Sequence, residues 1–226
     1  MKTVVISLGG SLIVPDKIDY DFINNFKDLI FKFKNIKFVI VTGGGRVARE
    51  YINGLRKEGL SQKMQSLIGI AVTRLNARFM SNFFKSDVCN TIIPNSLKDI
   101  KNLLLKNRIV FCGGLRYQED NTSDGTAAQV ANYLKCEFVN MTNVKGLYNK
   151  DPRKYRDAKF IKEINFNDFY KMINKIKYEA GQHFVLDQNA AKIIKENKIK
   201  TVIIGRDLKN FENYLKGKEF IGTIIC

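Results

Sequence analysis

No apolar run in the 226-residue chain approaches the roughly 18 to 20 residues that a membrane-spanning helix needs. The amino terminus passes directly into a strand-like segment without a signal-peptide layout, so the expected compartment is the cytoplasm and no membrane partner is expected. The four cysteines, Cys89, Cys112, Cys136 and Cys226, form no CxxC pair. That excludes the common zinc and dithiol redox frameworks and leaves buried free thiols as the expectation. There is one histidine, His183, in Gly181-Gln182-His183-Phe184, with no ligand cluster around it in sequence. It reads as a packed or loop residue rather than an acid–base group, and no residue is assigned to a protein-held metal. Lysine and arginine outnumber aspartate and glutamate by 38 to 22, yet no basic run reaches five residues and no RNP-like aromatic motif occurs. A solvated basic surface is favoured over a nucleic-acid partner, although the net positive field could draw an anionic substrate. Two phosphate fingerprints are also missing: there is no GxxxxGK[ST], and no GxGxxG opens a helix. Internal repeats and low-complexity tracts are absent as well.

What the chain does contain is glycine at the ends of apolar segments. Gly43-Gly44-Gly45 follows Phe38 to Val41 and opens a helical pattern that carries Arg49 one turn in. Leu8-Gly9-Gly10-Ser11 follows Thr3 to Ile6, and Cys112-Gly113-Gly114 follows Arg108 to Phe111. Glycine lets a backbone approach a ligand closely, and the first N–H groups of a helix favour phosphate. Any one such turn is equally an ordinary α/β loop. Their joint occurrence points to one anion cleft, because doubly wound sheets gather ligand loops beyond the carboxyl ends of their strands.

Strand-like segments alternate with helical ones, which predicts an α/β fold with a mostly parallel sheet covered on both faces, a three-layer αβα sandwich. Strands are predicted near 3–8, 37–42, 88–93, 109–112, 137–142, 201–205 and 219–225. Helices are predicted near 19–34, 46–58, 62–86, 97–106, 124–135, 167–177, 187–197 and 207–215. In the first helix Phe22, Phe26, Leu29, Ile30 and Phe33 recur at three-to-four spacing and form a core stripe. The pattern is interrupted near 144–160. There Thr142 through Pro152 carries hydroxyl, amide, aromatic and carboxylate groups suited to a nucleoside, with Tyr148 against a base, Asp151 near a ribose and Thr142 near a phosphate. A surface turn started by Asp151-Pro152 is the competing reading.

These motifs, with Thr122-Ser123-Asp124 and Thr142 to Tyr148 in order along the chain, resemble the amino-acid kinase superfamily. Ala48-Arg49, Ile68-Gly69-Ile70, Thr73 to Ala77 and Leu186-Asp187 before Ala190-Ala191 are similar to its archaeal-type UMP kinases. The resemblance implies one amino-acid kinase-like domain over 1–226, with an acceptor part about 1–135 and an ATP part about 136–226. It implies transfer of the γ-phosphoryl group of ATP, with Mg²⁺, to UMP in pyrimidine nucleotide synthesis, by a homo-oligomer that is commonly a hexamer. It sets the donor triphosphate against Gly9, Gly10, Ser11, Gly45 and Arg49, and the rest of ATP against Thr142, Tyr148 and Asp151. Gly44, Ser66, Gly114 and Thr122 match acceptor positions. Arg49, Asp124 and Asp187 match positions at the reaction centre.

Three positions and one loop depart from the pattern: Ser7 stands where many members carry lysine, Ser66 where an aspartate is expected, Lys145 where an acidic residue is common, and Leu115 to Asn121 is longer and more charged. Taken without the resemblance, Ser123 and Asp124 read equally as a helix N-cap and Arg49 as an exposed partner of Glu50 or Glu58. A non-catalytic nucleotide- or oxyanion-binding protein, or a kinase of another phosphate or carboxylate acceptor, is the alternative function.

Overall fold

The computed structural model describes residues 1–85, 87–118, 121–152, 154–175 and 185–226. His183, the end of the helix expected over 167–177, and Glu119 and Asp120 of the long loop lie outside the described residues. The first half runs β1 (Lys2–Leu8), α1 (Gly10–Ile13), α2 (Tyr20–Lys32), β2 (Ile36–Thr42), α3 (Gly45–Lys57), α4 (Gln62–Phe84), α5 (Leu97–Lys106) and β3 (Ile109–Cys112). It continues with α6 (Ser123–Leu134), β4 (Glu137–Met141), β5 (Leu147–Tyr148), β6 (Phe160–Ile161), β7 (Glu163–Ile164) and α7 (Phe166–Lys175). The chain closes with α8 (Gln188–Asn197), β8 (Thr201–Ile204), α9 (Leu208–Leu215) and β9 (Gly222–Ile225).

Seven strands form one sheet in the order β3-β2-β1-β4-β8-β9-β7. The first five are mutually parallel, and β9 runs antiparallel to β8. Both faces are covered, which is why the strands read as nearly continuous apolar runs. Val4, Ile6 and Leu8 point into one core with Phe22, Phe26 and Phe211 of α2 and α9. Val5, Val39 and Phe138 point into the other, with Ala127, Ala128 and Ala191 of α6 and α8. The three-layer αβα architecture follows from that two-sided burial.

Helix starts are fixed by short polar side chains. Asp19 accepts from the Phe22 N–H at 3.0 Å, Ser96 from Asp99 at 3.1 Å, and Asp207 from Lys209 at 2.9 Å. Each satisfies a first-turn donor that has no partner within its helix.

One expected strand is absent. Over 88–93 only Cys89 makes a bridge, to Ile109. The Asn90 side chain takes the place of a ladder: its Oδ1 accepts from the Phe111 N–H at 2.7 Å and its Nδ2 donates to the Phe111 carbonyl at 3.0 Å. The segment therefore closes the β3 edge through one backbone bond, from the Ile109 N–H to the Val88 carbonyl at 2.9 Å, and through the Asn90 amide. The last strand is shorter than 219–225, and the short elements α1, β5, β6 and β7 were not expected from the sequence. All four cysteines are free; Cys89 and Cys112 are buried as expected, but Cys136 is half-buried and Cys226 exposed.

Candidate active site

Because β1, β2, β3, β4 and β8 are parallel, the turns after them gather on one edge of the sheet. The Gly9-Gly10 and Gly43–Gly45 turns there touch backbone to backbone. A Cβ on Gly10 would lie 2.2 Å from the Gly45 nitrogen and 2.6 Å from the Gly43 oxygen. Gly45 has φ +64°, and a Cβ there would also lie 2.7 Å from the Gly10 carbonyl carbon. Only glycine fits these positions. Helix α4 braces the turns from behind: Asn76 Nδ2 donates to the Gly43 carbonyl at 2.8 Å, and Thr42 Oγ1 donates to the Thr73 carbonyl at 2.8 Å. The third turn joins through the same helix, where the Gly114 N–H donates to Thr73 Oγ1 at 2.8 Å.

Beside these turns, Ser7 Oγ donates to Asp124 Oδ1 at 2.7 Å. Ser7 is the last residue of β1 on the α6–α8 face and is level with Asn140 of β4, whose amide donates to the Val185 carbonyl. The cap of α6 is Thr122, whose Oγ1 accepts from the Asp124 and Gly125 N–H groups at 3.1 and 3.4 Å. Asp124 is therefore not a cap, and its carboxylate faces inward. Thr122 Oγ1 also donates to Asp187, which caps α8 by accepting from the Ala190 N–H at 2.8 Å. Burial first, and the neighbouring Asp187 charge second, push the Asp124 carboxyl up to about 7 against the opposing Ser7 hydrogen bond. Burial raises Asp187 too. Among the described residues no lysine or arginine pairs with either carboxylate.

A cavity of about 870 Å³ opens next to the pair, within the usual range for a small-molecule site. Ser66, Gly114, Thr122 and Asp187 line it together. Sequence reasoning did not single out Arg56, Gln65, Asn121 and Asn189, which also line it. Asn121 and Asn189 are joined at 3.0 Å, and Asn121 reaches Thr126 at 3.3 Å. Arg56 had a signal, since it falls two helical turns after Arg49 on the same side of α3.

Arg49 does not line this cavity. It is half-buried and makes no ion pair among the described residues; Arg46 takes Glu50 instead, at 2.6 Å. Burial lowers the Arg49 pKa and the Glu50 charge opposes that shift. Gly9, Gly10, Ser11, Gly44 and Gly45 stay with the glycine cluster, outside the cavity lining.

Thr142, Tyr148 and Asp151 lie farther along the same sheet edge. The Thr142 N–H donates to the Ile204 carbonyl at 2.9 Å, which ties the loop to β8. Tyr148 meets Phe160 edge-on at 5.4 Å across the β5–β6 hairpin. The Asp151 carbonyl accepts from Lys154 and Tyr155 at 3.1 and 3.0 Å, so Asp151-Pro152 does initiate a turn.

For a divalent cation, the donors on offer are two carboxylates and two hydroxyls, all hard oxygens. Among the described residues no group of three His, Cys, Asp or Glu side chains is placed to hold an ion unaided. That donor set fits an ion that arrives with phosphate oxygens and water in its shell.

Comparison with known proteins gives a consistent picture. Residues 2–205 match the Amino acid kinase family. The uridylate kinase of Thermoplasma volcanium is 36% identical over 230 residues, covering 99% of this chain and 97% of that protein. The uridylate kinase of Archaeoglobus fulgidus is 35% identical over 226 residues, 99% of each. The crystal structure of the Archaeoglobus fulgidus uridylate kinase superposes with a TM-score of 0.85 at 33% identity, covering all of both chains.

Proposed function

The chain belongs to the amino acid kinase family, and on that footing we propose that it is an ATP-dependent UMP kinase, converting ATP and UMP to ADP and UDP. The observation that carries this reading is the meeting of three glycine turns, the Asp124–Asp187 pair and the 870 Å³ cavity on one sheet edge. In the reaction an oxygen of the UMP phosphate bonds to the γ-phosphorus while the bond to the β–γ bridging oxygen of ADP breaks. No protein nucleophile is needed, since such transfers depend on alignment and charge neutralisation.

In this reading Gly9, Gly10, Ser11 and Gly45 follow the donor phosphates, and Arg49 neutralises charge as it develops. Thr142, Tyr148 and Asp151 receive the nucleoside of ATP. Gly44, Ser66, Gly114 and Thr122 face UMP. Asp124, held by Ser7, and Asp187, held by Thr122, are fixed where the two halves of the site meet. Mg²⁺ bound with ATP would neutralise its β- and γ-phosphates, with Asp124 and Asp187 as the carboxylates available to it.

The acceptor part over about 1–135 and the donor part over about 136–226, a cytoplasmic location and a place in pyrimidine nucleotide synthesis belong to the same proposal. So does a homo-oligomer, with a hexamer as its form; the exposed Tyr51, Met64, Leu67 and Leu75 of α3 and α4 support a subunit contact there. ADP release measured with UMP, CMP, AMP and GMP tests the substrate. UMP is expected to give the highest kcat/KM, and equal turnover of all four, or turnover only with a non-nucleotide acceptor, overturns the assignment.

A further inference from the structure

A second cavity, of about 540 Å³, lies at the opposite, amino edge of the sheet. Four lysines line it, Lys2, Lys135, Lys198 and Lys200, against a single carboxylate, Glu137. Two of the lysines occupy matching places. Lys135 and Lys198 each stand three residues before a registered pair, Phe138 and Thr201, on β4 and β8. Those neighbouring strands are about 4.8 Å apart. Lys2, at the start of β1, lines the cavity beside Glu137.

The local structure at these two lysines is the same. Lys135 caps α6 and Lys198 caps α8, with φ 51° and 48°. Glycine is the usual occupant of that left-handed position, because a side chain is strained there. Glu137 is committed to Lys2 at 2.7 Å and to Lys200 at 3.9 Å. No carboxylate among the described residues pairs with Lys135 or Lys198; Lys135 reaches only the Asn132 amide oxygen, at 3.0 Å. The lining contains no aromatic residue on which a base could stack.

We propose that this cavity binds a condensed phosphate chain, free or as the triphosphate of a nucleotide, through Lys135 and Lys198 with Lys2 beside them. Charge-assisted contacts to successive phosphates match clustered ammonium groups, and nothing in the lining selects a base. The site is separate from the proposed transfer centre, though the same two helices reach both: α6 and α8 carry Asp124 and Asp187 at their other ends.

Titration calorimetry with inorganic tripolyphosphate tests it, on protein saturated with UMP and a non-hydrolysable ATP analogue. The comparison is wild type against Lys135→Asn/Lys198→Asn, because asparagine tolerates the left-handed backbone. One equivalent should bind wild type, and the double variant should bind at least about tenfold more weakly. The single Lys198→Asn should show an intermediate loss, which keeps the test decisive if the double variant folds poorly by circular dichroism. Lys17→Asn/Lys98→Asn, an equal charge loss at exposed positions outside the lining, should leave affinity unchanged. GTP should bind this site within about threefold of tripolyphosphate, since both present the same phosphate chain. Absence of binding to wild type, undiminished affinity in the cap variants, or an equal loss in the Lys17/Lys98 control overturns the proposal. GTP binding more than about tenfold tighter than tripolyphosphate does so as well, by showing that a base is read.

Discussion

Replacing Asp124 by asparagine should stabilise the unliganded protein at alkaline pH while impairing catalysis. The carboxyl holds its proton to about 7 in the folded chain against an ordinary value of 3.8, with burial as the largest cause and the Asp187 charge as the second. Folding thus favours the protonated form. That contribution is fully present below about pH 4 and is lost as pH rises through 7. A shift of about three units corresponds to roughly 4 kcal/mol. Because part of it is shared with Asp187, about 2 kcal/mol is the more realistic size. Asparagine keeps an oxygen to accept from Ser7 and carries no charge, so the variant should match wild type near pH 3.5 and exceed it by about 2 kcal/mol near pH 8. Urea unfolding of both proteins at the two pH values measures this directly. Its kcat should nonetheless fall on the order of 10²-fold. A stability difference that does not change with pH, or a variant weaker than wild type at pH 8, would refute the burial argument and mean that the ionised Asp124 has a partner.

Ser7→Lys should bring an ammonium to the Asp124 carboxylate and raise ATP affinity or single-turnover rate, and Asp124→Asn in the same chain should erase the gain. Absence of coupling between positions 7 and 124 in a folded protein would remove them from a common centre. Gly45→Ala should cost about 3 kcal/mol or more by thermal unfolding, from left-handed strain and backbone overlap together, against about 1 kcal/mol for Gly59→Ala. Gly59 shares the positive φ, at 72°, but has open space around it, so equal losses would show that the Gly10–Gly45 contact is not tight. Arg49→Ala should lower kcat more than it raises KM for UMP, as expected of a cation that acts when charge develops. An unchanged kcat would place Arg49 outside the reaction.

The layered fold was legible because period and burial agree over long segments: Phe22, Phe26, Leu29 and Ile30 recur as one helical stripe, and all four are buried in one core. The segment 88–93 was misread for the converse reason. Val88, Cys89, Ile92 and Ile93 have strand-like composition, but after the single backbone bond from Ile109 to Val88 the Asn90 amide takes over the hydrogen bonds that a strand would have made. The two-residue strands β5, β6 and β7 are too short to carry a period at all. At the site, glycine turns were visible because their backbone geometry restricts the residue type. Their mutual contact was not, since Gly10 and Gly45 meet only after β1 and β2 have paired. Asn121 and Asn189, 68 residues apart, carried no local signal of any kind.

The reading of Thr122-Ser123-Asp124 shows what separates a cap from a site. Sequence alone allowed Ser123 or Asp124 to cap α6, a role worth about 1 kcal/mol. In the structure Thr122 takes that role, and it does so while donating to Asp187. Asp124 is thereby released from local duty and buried near a second carboxylate without a cation beside it. The positive ends of α6 and α8 favour negative charge by about 0.3–1 kcal/mol each. A carboxyl raised to about 7 carries a larger penalty than that, so neither helix dipole nor hydrogen bonds offset the burial. A chain selected for stability alone would place asparagine or serine at position 124. A charged ligand that completes the site would account for two ill-matched acids held together, and on the proposed function a nucleotide with its divalent ion would supply the positive charge that the chain itself omits at Ser7.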